Sequence, residues 1–371
     1  MNRLIIVGNG FDLAHGLKTS YCDFISHYLV NILNEFYDKS TYNDPLVSLR
    51  NVQEIHLPHY LPQGFQLTPE NVFDKLKSMR ETSIVRMDFK SELLQRSILR
   101  AEELRWVDLE NEYYDDLLAC RFSGKFDFEK VEYLNSEFSY LKGLLEEYLM
   151  SVQFPEGSFN PDPDIQKVFG ERFDSRDFQM KTSTSELPKR TLFLNFNYTH
   201  TIVPYLSKPF KSGQEALAQG RYNDEIIHIH GELGKTENPI VFGFGDEHDQ
   251  GYLDFETLRN NSVFHHIKSY AYLRTGNYSN LMRFLDADDF QVFVIGHSCG
   301  LSDRTMFREV LEHKHCQSVK VFYYLRPDGT SDFTEKSYDL AKHFSNKGLM
   351  RKKIVSEEYS TFLPQYRPEH D

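Results

Sequence analysis

The chain has 371 residues, 40% of them hydrophobic, with 30 Phe and 22 Tyr, which is ample material for a sizeable aromatic core. Its 42 Lys and Arg against 55 Asp and Glu give a net charge of −13, which argues against broad binding along a nucleic-acid backbone and leaves only a local basic groove open. Cys22, Cys120, Cys299 and Cys316 form no C-x-x-C pair, which argues against a four-cysteine zinc ribbon and suits reduced thiols. No apolar run reaches the roughly 18 residues of a membrane span, and a strand-forming sequence stands where a secretory signal would, so a cytoplasmic protein without membrane contact is expected.

Leu4-Ile5-Ile6-Val7 is an apolar run suited to a strand buried on both faces of a parallel sheet. It leads into Gly8-Asn9-Gly10-Phe11-Asp12, where glycines allow a tight turn and close approach to a phosphate or ribose. Position 13 is Leu, so the G-x-G-x-x-G fingerprint is incomplete. Ser20 and Asp23 have capping-box spacing and predict a helix over 20–37. Pro45, Pro58, Pro62 and Pro69 interrupt residues 43–83. Helical patterns follow at 86–120 and 127–150, the first with Trp106, Leu109, Tyr113 and Leu117 on one stripe. The polar stretch 153–190 reads as a long surface excursion.

Further strands are predicted at 191–194, 225–230, 239–242, 290–295 and 319–325, each closing on Gly, Asn or Pro. The fold class expected is α/β, a Rossmann-like, doubly wound parallel sheet with a large helical insertion. Residues 1–371 then form a single domain, with 43–190 as the insertion.

Four predicted strand ends gather the candidate chemistry: Gly8–Asp12, Asn195–Thr199, His228–Gly231 and Gly296–Asp303. Period two places His228 and His230 on one face of their strand. His230, before a glycine, suits a general base, although a histidine satisfied by backbone is the plainer reading. Asn197 can orient a ribose hydroxyl or a water, or simply close a turn. Gly296, His297 and Ser298 offer a second phosphate or ribose contact. Two histidines in H-x-H need a third metal ligand from Asp246, His248 or His297; no spacing signature supports one, and no metal is expected. Cys299 lacks a base partner and is not read as a nucleophile.

Ile6-Val7-Gly8-Asn9-Gly10-Phe11-Asp12-Leu13-Ala14-His15-Gly16-Leu17, Asn195-Phe196-Asn197-Tyr198-Thr199, Ile229-His230-Gly231 and Phe293-Val294-Ile295-Gly296-His297-Ser298 together resemble the AbiH family of bacterial abortive-infection proteins. This family is in turn similar, more remotely, to sirtuin-like NAD-binding domains. The resemblance implies antiviral defence, with NAD as substrate, hydrolysed at the nicotinamide–ribose bond. It implies nucleotide contacts from Gly8, Asn9, Gly10, Phe11, Asp12, Thr199, Gly296, His297 and Ser298, with Asn197 and His230 catalytic. Asp12 stands where a small hydroxyl residue is usual, Thr199 replaces an acid, and His297 replaces a threonine. Without zinc-binding cysteine pairs a protein deacylase is not expected. The alternatives are a non-catalytic nucleotide sensor or adaptor and, disfavoured by charge, a nuclease effector. The partners implied are a nucleotide ligand and a phage trigger or partner protein, and self-association is left open.

Overall fold

In the computed structural model, which describes residues 1–52, 66–82, 85–104, 107–122, 125–155, 157–158, 160–179, 186–206 and 224–366, the first apolar run forms strand β1 (Asn2–Val7), buried throughout. The other strands, in chain order, are β2 (Thr41–Asn43), β3 (Val47–Asn51), β4 (Val85–Phe89), β5 (Arg121–Phe122), β6 (Lys125–Phe126), β7 (Thr191–Asn195), β8 (Asp224–His228), β9 (Phe290–Ile295), β10 (Cys316–Tyr323) and β11 (Thr361–Phe362). The chain divides into two compact units. One comprises Met1–Leu17, Leu149–Thr257 and His266–Asp371; the other comprises Lys18–Tyr148 and Leu258–His265.

The first unit is α/β. Among the described residues its sheet has six strands, all parallel, in the order β8-β7-β1-β9-β10-β11. Leu4 of β1 pairs with Leu192 on one side and Val292 on the other. A strand with neighbours on both edges and cover on both faces needs apolar residues at every position, which is why this run does not alternate. Leu4, Ile6, Leu192, Leu194, Val292 and Val294 join one core with helices Asn277–Ala287, Arg304–Leu311 and Phe333–Lys342. Ile5, Val7, Phe193, Phe293 and Ile295 join a second core on the other face, with Phe11 and helix Pro163–Phe169. The chain steps outward from β1 through β7 to β8, then crosses to β9 and continues outward. The direction therefore reverses between β1 and β9, and outside the carboxyl ends of strands at such a reversal lies the usual ligand crevice of an open α/β sheet.

The amino-terminal edge of this sheet is held by buried charge. Arg3, fully buried, donates to Gln291 Oε1 at 3.1 Å and to the Glu171 carbonyl, and its guanidinium lies 4.1 Å from the Phe293 ring centre. Gln291 reaches Asp177 at 3.0 Å, and Lys320 pairs with Glu171 at 3.2 Å. This cluster pins the Glu171–Asp177 segment to the sheet.

Three elements differ from the sequence reading. The 153–190 stretch is not wholly a surface excursion, because Asp162 caps helix Pro163–Phe169, whose Ile165, Val168 and Phe169 are buried. Residues 239–242 form no strand. Their backbone instead meets the β8 turn through Val241 N–H donating to His230 O at 2.7 Å. The 86–120 pattern divides into β4 and helices Glu92–Leu104 and Leu109–Ala119, because Ser91 and Asp108 each cap a new helical start. Leu109, Tyr113 and Leu117 are buried as a stripe, while Trp106 lies outside the described residues.

In the second unit, Ser20 and Asp23 form a reciprocal capping box on helix Tyr21–Lys39. Strands β2, β3 and β4 form an antiparallel sheet, with β3 in the stretch interrupted by prolines and β4 in the stretch read as helical. Among the described residues no helix is long and apolar enough to cross a membrane.

Candidate functional site

The turn after β1 and the turn after β9 interlock. Gly8 N–H donates to Ile295 O at 3.0 Å and Gly10 N–H donates to Gly296 O at 2.6 Å. A methyl group added at Gly8 would stand 2.6 Å from His297 Cα. At Gly296, with φ +65°, it would stand 2.2 Å from Phe11 N. These glycines are thus required by two backbones in contact, whatever ligand the turns also meet. Asn9 and Ser298 are exposed, Gly10 and Gly296 are half-buried, and these four residues form the solvent-facing rim. Phe11 points inward, packed on Phe169 and Tyr205.

The end of β7 ties this pair of turns to β8. Asn195 Oδ1 accepts the Asn197 N–H at 3.1 Å, which directs its amide nitrogen to His228 Nδ1, also at 3.1 Å. The neutral His228 ring therefore carries its proton on Nε2, which faces Glu232 Oε2 at 3.7 Å. Asn197 Nδ2 donates to Gly8 O at 3.1 Å. Thr199 Oγ1 donates to Asp12 Oδ2 at 2.6 Å, and Thr201 donates to Thr199 at 3.2 Å. Asp12 is only 1% exposed, and burial pushes its carboxyl up to about 6, with the Thr199 hydrogen bond opposing. Asp12 and Thr199 thus form an internal brace beneath the rim.

The two histidines of H-x-H take separate environments. Strand β8 ends at His228 and the chain turns at once, so period two does not extend to His230. His228, lowered to about 4 by burial, faces Asn195 and Glu232. His230, 4% exposed, lies against Phe196, Tyr272 and Asp303. Its Nε2 is 3.1 Å from Asp303 Oδ1 and 3.1 Å from Tyr272 Oη. Burial first, and then the Lys268 charge, lowers its pKa.

His297 accepts the Cys299 N–H on Nδ1 at 2.9 Å, so its neutral ring directs Nε2–H towards Asp303 Oδ2 at 3.7 Å. Burial holds it down to about 3. Phe196 packs edge-on against both rings, at 4.9 Å from His230 and 4.5 Å from His297. Gly8, Asn197, His230 and His297 are thereby linked through direct contacts.

Asp303 and Lys268 were not singled out from sequence. Asp303 Oδ1 accepts from Lys268 Nζ at 2.8 Å, and both side chains are buried. Burial alone would raise the Asp303 carboxyl, but Lys268, His230 and His297 together hold it well below the usual carboxylate range. Asp303 closes the Gly296–Asp303 segment and was visible as an acid near His297; Lys268 carries no local motif.

Asp246, considered as a metal ligand, is instead paired with Arg304 at 3.0 Å, and His248 is exposed. Among the described residues no group of three or more His, Cys, Asp or Glu is placed to hold a metal ion. Cys299 is fully buried, with its thiol pushed up to about 12 by burial.

No curated protein matches the chain significantly. A family profile described as bacteriophage abortive infection AbiH matches residues 4–325, a span that includes every strand end of the site, and the chain belongs to that family.

Proposed function

We propose that this chain, which its family ties to bacteriophage abortive infection, binds NAD across the carboxyl ends of β9, β1, β7 and β8 and hydrolyses its nicotinamide–ribose bond. One observation carries the reading: segments from four distant parts of the sequence converge where the parallel sheet reverses direction. Numbered within the sheet, the order is 3-2-1-4-5-6, the doubly wound order of Rossmann-like dinucleotide folds. The sirtuin-like motif pattern selects NAD among nucleotides.

In this reading the rim of Asn9, Gly10, Gly296 and Ser298 meets the pyrophosphate and ribose, and Asn197 orients the water. Water attacks the ribose C1′ carbon, the bond to nicotinamide breaks with its electrons leaving on nicotinamide, and His230 takes the proton from the attacking water. Burial and the Lys268 charge lower the His230 pKa, which favours the neutral ring able to take that proton.

Calorimetric titration of NAD into the purified chain, with chromatography of the recovered ligand, tests this, with and without extract of phage-infected cells. The expected result is binding, with nicotinamide and ADP-ribose released, and at least a ~10²-fold slower release from His230→Ala. Absence of binding under both conditions overturns it. The burial of His230 and Asn197 favours a second reading, a nucleotide sensor. In that case NAD raises the melting temperature and is recovered intact.

A further inference from the structure

Building on the reading that His230 is the base, we propose that Asp303 is its positioning residue: its carboxylate, anchored by Lys268, holds the imidazole in one orientation and stabilises the imidazolium formed when His230 takes a proton.

A carboxylate only accepts hydrogen bonds, so the hydrogen lying between Asp303 Oδ1 and His230 Nε2 belongs to the ring. The same oxygen accepts from Lys268 Nζ at 2.8 Å. Lys268 is 1% exposed, and separating two opposite charges buried together is costly, so the pair holds the carboxylate in place. Asp303 sits at the entry to helix Arg304–Leu311, with its N–H donating to Gly300 O at 3.4 Å. The second oxygen faces His297 Nε2 at 3.7 Å.

The groups facing His230 are Tyr272, Asp303, Lys268 and the Phe196 backbone, with Tyr198 and His297 next to them. Asp303 is the one anion in this set. A proton arriving on His230 therefore places its charge against Asp303, while Lys268 opposes it. The logic is that of a base oriented by a buried carboxylate, here with a lysine holding the carboxylate in place.

The test is ¹⁵N-histidine NMR titration of the full chain beside NAD-cleavage kinetics. Lys268→Met should raise the His230 midpoint by about one pH unit, and the uncharged pair Lys268→Met/Asp303→Asn should bring it back down by about one. A structural role alone does not generate these opposite shifts, and the double variant avoids a lone buried charge. Asp303→Asn should lower kcat ~10²-fold with little change in KM, and Asp303→Glu should recover part of it. Equal midpoints in Lys268→Met and the double variant overturn the proposal, even if NAD is cleaved. Midpoints that move as stated in a chain that cleaves no NAD sustain the positioning role and overturn the cleavage reading instead.

Discussion

The Asn197 side chain donates to the Gly8 carbonyl at 3.1 Å, so the end of β7 and the turn after β1 are one unit. The carbonyl also accepts from Phe11 N–H at 2.8 Å and keeps that partner when Asn197 is truncated. Asn197→Ala should therefore cost only about 1 kcal/mol in urea unfolding. NAD cleavage by the same variant should fall far more than that loss of stability explains. Equal losses in both measurements would reduce Asn197 to a brace.

The interlocked turns make a sharper expectation. Gly296→Ala adds left-handed strain at φ +65° and a methyl 2.2 Å from Phe11 N, and should cost more than about 2 kcal/mol. Gly16→Ala has similar strain at φ +77° but nothing within 4 Å, and should cost about 1 kcal/mol. Paired chemical denaturation curves check the difference, and equal costs would show that the turns do not pack this closely.

Asp12 links stability to pH. Its folded carboxyl titrates at about 6 against 3.8 when unexposed to burial, so between these values the folded state binds more protons. Stability from this group falls as pH rises, by about 3 kcal/mol once both states are ionised. His228 and His297, lowered from 6.5 to about 4 and about 3, act oppositely: the unfolded state takes up their protons first, and stability falls as pH drops below 6.5. Asp12→Asn, whose amide oxygen can still accept from Thr199, should gain about 3 kcal/mol at pH 7 and almost nothing at pH 4. A gain independent of pH would show that Asp12 is ionised without penalty.

Arg3 offers a control remote from the proposed chemistry. Arg3→Met removes the bonds of a fully buried guanidinium to Gln291 and Glu171 and should cost about 3 kcal/mol. NAD affinity should stay within about threefold, as for independent distant sites. A larger change in calorimetric affinity would mean that the two edges of the sheet are coupled.

The sheet was readable because burial on both faces writes continuous apolar runs, as in Leu4–Val7 and Phe290–Ile295. The turn at His230 was not readable, since Ile229 is as apolar as a strand residue and period two continues through it by composition alone. Helix Pro163–Phe169 was hidden because it is short and its polar flanks dominate the window. Motif spacing picked out the residues on the strand ends, whereas Lys268 reaches the site from a helix start with no flanking pattern. Long-range pairing of this kind is set by three-dimensional packing and leaves no local periodicity.

Strand β1 has its flanking partners at Thr191–Asn195 and Phe290–Ile295. During synthesis, then, the central strand waits for both neighbours while roughly the next 290 residues emerge, a connectivity that slows folding. Because Gly8 and Asp303 bracket the site, a nascent or truncated chain ending before residue 303 has no assembled centre.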